Sequence, residues 1–130
     1  MLKRILSRHS CHHQSADERF IHRLGKKLDL DQQQQARFTS WQTIYKKTRS
    51  EVQQIRRDQN EMLEAILSLP TLDQKETQRL MQIPTLAMNE QLPHVVEAFV
   101  DFHASLTDEQ RAQLGVLWKH YHQYHPHHCH

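Results

Sequence analysis

The chemistry in this chain is gathered at its ends. Nine of the twelve histidines lie in two terminal stretches: His9, His12 and His13 at one end, and His120, His122, His125, His127, His128 and His130 at the other. Both cysteines, Cys11 and Cys129, stand among them. Imidazole nitrogen and thiolate sulfur are the donors that Zn, Cu, Ni and Co prefer. The run from His120 to His130 contains His-X-His, His-Pro-His-His and Cys-His, which are overlapping donor sets rather than one fixed tetrahedron. Such redundancy suits loose capture of a divalent transition metal, zinc first, with nickel, cobalt and copper as alternatives. Ligands must shed protons to bind, so affinity is expected to fall as the pH drops below ~6.

The plain alternative for either stretch is a polar tail that only solubilises the chain. Cys11-His12-His13 is short and unspecific alone; it completes a site only if the helices bring the termini together. Cys11 and Cys129 can pair as a disulfide in an oxidising compartment or share a metal, and the sequence leaves both open. Three further histidines lie in the body. His22 and His103 are secondary candidates, as is His9, and His94, next to Pro93, is weaker still. An isolated helical histidine is more often an ordinary surface residue, and no body pair has the i, i+4 spacing of a two-point ligand.

Other chemistries lack their residues. There is no Gly-rich phosphate loop, nucleophile elbow or HExxH, and the carboxylates fall at ion-pair spacing on helix faces, so no enzymatic activity is expected. The net charge of +2 argues against a dedicated nucleic-acid binder. No stretch approaches ~20 apolar residues, so no membrane insertion is expected. Met1-Leu2-Lys3-Arg4-Ile5-Leu6 is a basic start without an apolar run after it, so no secretory signal is read there and the chain as written would stay in the cytoplasm.

The elements that must carry these ends are helical. With 130 residues, two glycines and four prolines, the chain has one domain's worth of material and few turns. Residues 1–14 form a flexible His/Cys tail, 15–121 a helical domain and 122–130 a His/Cys-rich tail. Ser15 and Glu18 have the spacing of a capping box for the first helix, whose apolar face is Phe20, Ile21, Leu24 and Leu28. Asp31 caps a second, long helix. Along it Phe38, Trp41, Tyr45, Thr48, Val52, Ile55, Gln59, Met62, Ile66 and Leu69 alternate in steps of three and four, a heptad seam interrupted by Thr48 and Gln59. It should run from Asp31 to Leu69, roughly 55 Å.

Asp73 or Thr71 starts the third helix, with Leu80, Ile83, Ala87, Val95, Phe99 and Phe102 on its apolar side. Pro84 and Pro93 fall inside it and predict one or two kinks. A long helix, a short turn at Pro70 and a return helix make an αα-hairpin. Thr107 and Gln110 form the capping box of the fourth helix, whose stripe is Leu114, Leu117, Trp118 and Tyr121. The fold class is therefore all-α, with four helices and a long central hairpin.

Two segments echo each other. Ser105-Leu106-Thr107-Asp108-Glu109-Gln110 holds an LTxxQ box, and Leu28-Asp29-Leu30-Asp31-Gln32-Gln33-Gln34 has the same form with Asp31 in place of the threonine. A pair of such boxes around a helical hairpin resembles the Spy/CpxP family of periplasmic stress chaperones, with relatives that are zinc-associated proteins or heavy-metal sensors. Leu69-Pro70-Thr71-Leu72-Asp73 and Pro93-His94-Val95-Val96-Glu97-Ala98-Phe99, leading into Asp101-Phe102-His103-Ala104-Ser105-Leu106-Thr107, look like the metal-sensor branch. The resemblance covers residues 16–120. It implies a periplasmic address, an antiparallel cradle-like homodimer, and unfolded clients or a membrane signalling partner.

The expectation that follows is a metal-binding envelope stress or resistance protein, a sensor or buffer of divalent metal. The second expectation is an ATP-independent holdase for unfolded proteins, with metal binding incidental. A third is a metal store without clients.

Overall fold

The computed structural model describes residues 16–124. The expected N-terminal tail and the Ser15 cap lie outside the described residues, as do His125, His127, His128, Cys129 and His130. Four helices follow one another: α1 (Ala16–Lys27), α2 (Gln32–Leu67), α3 (Gln74–Ala104) and α4 (Asp108–Tyr124). There is no strand among the described residues. The all-α expectation holds, and α2 and α3 pack against each other as a hairpin.

The helix starts follow from local chemistry. Asp31 Oδ1 accepts from the Gln34 amide at 2.8 Å and Thr107 Oγ1 from the Gln110 amide at 3.2 Å. Asp73 Oδ2 accepts from the Glu76 amide at 3.0 Å, which settles the start of α3 on Asp73 rather than Thr71. Each side chain takes up one of the amides that a helix leaves unbonded in its first turn. Helix α2 stops at Leu67, two residues short of the expected end. Asp29, just past α1, has a left-handed backbone with φ of 51°.

Contacts divide the described residues into two compact units, residues 37–102 and residues 16–36 with 103–124. In the unit of residues 37–102 the heptad seam is the core. Phe38, Trp41, Thr48 and Val52 are buried, and Leu80 and Phe102 meet the seam from α3. Aromatic rings fill its wide end: Phe38 and Phe102 lie 5.1 Å apart, Trp41 and Phe99 5.2 Å, both in the favourable range for ring pairs. Trp41 Nε1 is a buried donor without a hydrogen-bond partner. The seam opens toward the turn, where Met62 is 48% and Leu69 53% exposed.

Pro84 and Gln59 explain each other. Helix α3 is continuous through both prolines. A proline has no N–H for the carbonyl four residues earlier, which for Pro84 is that of Leu80. Gln59 Nε2 donates to that Leu80 oxygen at 2.9 Å. The polar interruption in the seam therefore serves the carbonyl that the buried Pro84 leaves open.

Candidate functional site

The second unit is built around the two boxes. Gln34 and Gln110 occupy the third position of α2 and α4, and each side-chain oxygen reaches back to an amide of its own cap. Asp31 N donates to Gln34 Oε1 at 3.0 Å, and Thr107 N to Gln110 Oε1 at 2.9 Å. These are two complete capping boxes. The two amides then pair with each other: Gln34 Nε2 donates to Gln110 Oε1 at 2.8 Å and Gln110 Nε2 to Gln34 Oε1 at 3.0 Å.

The remaining proton on each amide nitrogen caps the end of another helix. Gln34 Nε2 donates to the Ser105 carbonyl at 2.7 Å, just past α3. Gln110 Nε2 donates to the Leu28 carbonyl at 3.1 Å, just past α1. Gln113 and Arg111 add bonds to the Lys27 and Leu106 carbonyls. Each glutamine thus makes all four bonds an amide can make, and Gln34 is 5% exposed. Two helix starts and two helix ends are held in one polar clasp. Beneath it Ile21, Leu24, Leu28 and Leu106 form the apolar core.

Beyond the clasp, α1 and α4 close with aromatic side chains. Phe20 packs on Tyr121 with ring centres 4.6 Å apart and meets Trp118 edge-on at 5.8 Å. Trp118, in the apolar stripe of α4, is about half exposed. The Tyr121 hydroxyl donates to the Asp17 carboxylate. That bond joins the first turn of α1 to the last turns of α4.

The candidate metal ligands distribute unevenly over this frame. Helix α4 runs to Tyr124, so His120 and His122 stand on helical backbone. Two residues apart on a helix means roughly 200° of rotation, so the pair does not face one ion. His120 is exposed beside α1, and the His122 ring meets Trp118 edge-on at 4.2 Å. His22 on α1, and His94 and His103 on α3, are exposed. Among the described residues no three His, Cys, Asp or Glu side chains are close enough to hold a metal ion. His9, Cys11, His12, His13, His125, His127, His128, Cys129 and His130 lie outside the described residues.

The anchor points of the two ligand-bearing segments are adjacent. Asp17 is four residues from His13, and Tyr121 is four residues from His125. Ligand types alone could not reveal this, because the Tyr121–Asp17 bond links positions 104 residues apart.

Four helices, a hairpin and paired capping boxes define an all-helical protein in which the clasp is the organising polar feature. The chain belongs to the LTXXQ motif family, whose model matches residues 16–117, and this is the Spy/CpxP-type domain. No curated protein and no solved structure matches the chain. The family is typically periplasmic, and none of the described helices is long and apolar enough to cross a membrane.

Proposed function

We propose that this protein is a metal-responsive stress protein of the periplasm, a sensor or buffer of divalent transition metal that works as a homodimer and not as an enzyme. The observation that carries the reading is the Tyr121–Asp17 hydrogen bond, which joins the first turn of α1 to the last turns of α4. Zinc, the first choice for mixed imidazole and thiolate donors, draws ligands from both segments: Cys11, His12 and His13 from one, and His120 or His122 with His125, His127, His128, Cys129 and His130 from the other. An ion held by both ends favours the state in which α1 and α4 stay paired, and so couples metal level to the stability of the clasp unit.

The test is a zinc titration of the reduced full chain by calorimetry, with thermal unfolding alongside. Binding is expected in the micromolar range or tighter. At a hundredfold excess over the Kd, stability should rise by about 2.7 kcal/mol. His12→Asn with His13→Asn should weaken binding even though the C-terminal ligands are untouched. Zinc affinity indifferent to those two substitutions, or binding that leaves unfolding unchanged, would overturn the shared site.

A second reading rests on a different surface. On α3, Leu92, Val96 and Val100 recur at four-residue spacing and are exposed, as are Met81 and Leu86 nearer the hairpin turn. Exposed apolar surface of this kind suits an ATP-independent holdase or contact with a membrane signalling partner. That reading predicts suppressed aggregation of an unfolded client whether zinc is present or not. Suppression that requires zinc would favour the metal-responsive reading instead.

A further inference from the structure

We infer that the face where α1 meets the end of α4 holds a binding site for a small aromatic carboxylate, formed by Arg19, Arg23 and Lys27 over a floor that includes Phe20 and Tyr121. These residues, with Leu24, Leu117 and His120, line a cavity of about 170 Å³. An apolar cavity of ~150 Å³ is large enough to take a benzene ring. Leu24 and Tyr121 are buried, and the Phe20 and Tyr121 rings meet at a 30° tilt, so the floor is apolar and largely aromatic.

The rim carries the opposite character. Arg19, Arg23 and Lys27 follow each other at four-residue spacing and so rise along one face of α1. No carboxylate lines the cavity among the described residues. The ion pairs at Arg79 and Arg111 show the ordinary solution, an acid three residues away on the same helix. The α1 row instead stacks like charges, an arrangement that costs helix stability unless an anion sits between them. Arginine presents a fork that matches a carboxylate, and the aromatic floor matches a ring. A ligand that joins one ring to one carboxylate uses both.

Phenylacetate, its uncharged amide and acetate separate the two requirements in calorimetric titrations of the metal-free full chain. Phenylacetate should bind at least about tenfold more tightly than phenylacetamide, which lacks the charge, and than acetate, which lacks the ring. Arg23→Gln with Lys27→Gln should lower phenylacetate affinity by a similar factor. Lys46→Gln with Lys47→Gln, on α2, should leave it unchanged. All four side chains are exposed, so the variants are expected to remain folded, which circular dichroism checks. Acetate matching phenylacetate would reduce the site to diffuse charge, and the amide matching it would reduce the site to an apolar crevice. Either result overturns the proposal, as does phenylacetate binding that survives the α1 substitutions or is absent from the full chain.

Discussion

The hairpin unit and the clasp unit solve the same problem with different forces. In the hairpin, α2 and α3 are held by an apolar seam, broad and aromatic at Phe38, Trp41, Phe99 and Phe102, then thinning to exposed Met62 and Leu69. Burial is non-directional, so such a seam tolerates a slow loss of packing along its length. In the clasp, Gln34 and Gln110 bind each other and four backbone groups through bonds that each need one geometry. A polar network of this kind fixes position sharply, and leaves several groups unsatisfied if one member is removed. Area holds the hairpin; direction holds the clasp.

Substitution at Gln34 tests that contrast most severely. Gln34→Ala would strand the Ser105 carbonyl, the Asp31 amide and half of the Gln110 amide. The expected loss is about 2–4 kcal/mol of unfolding free energy, measured by urea denaturation. Gln34→Glu is the sharper variant. Glutamate serves as well as glutamine in an isolated capping box. Here it would keep the cap but lose both donors and set oxygens against the Ser105 carbonyl and Gln110 Oε1. A near-neutral Gln34→Glu would show that the residue is only a cap and that the cross-pairing contributes little.

The hairpin too contains directional bonds, among them the one between Gln59 and the Leu80 carbonyl, and there the comparison can be broken. Gln59→Ala should cost about 1–2 kcal/mol because the Leu80 oxygen loses its donor. In a Pro84→Ala background the restored amide at position 84 can bond that oxygen within the helix. Gln59→Ala should then cost much less, giving a coupling energy of about 1 kcal/mol in a double-mutant cycle. Additive effects would mean that Gln59 sits beside Pro84 without compensating it.

Short-range signals were legible in the sequence. The caps at Asp31, Asp73 and Thr107 stand where side-chain oxygens three residues before an amide put them, and the seam follows from steps of three and four. What escaped was the pairing of features across distance. Pro84 read as a kink and Gln59 as a flaw in the seam, since neither carries a mark of the other. The two boxes showed as an echo, but nothing in either says that their glutamines bond each other 76 residues apart. For the metal ligands, residue type gave the candidates, while helical phase, which sets His120 and His122 on different faces, depended on α4 running through to Tyr124.

Asp29 offers the smallest effect and separates two physical causes at the edge of the clasp. It follows the end of α1 with φ of 51°, a conformation that glycine adopts freely and other residues at a cost. Its carboxylate also lies near the C-terminal end of a helix, where the dipole disfavours negative charge. Asp29→Gly relieves both, against the greater freedom glycine gives the unfolded chain, and should stabilise by about 0.5–1 kcal/mol. Asp29→Asn removes the charge and keeps a side chain that tolerates the left-handed region. If thermal unfolding shifts upward equally for both, the charge is the cause; if only glycine raises it, the backbone is. A loss of stability with glycine would mean that the Asp29 side chain itself helps to hold the turn into the first box.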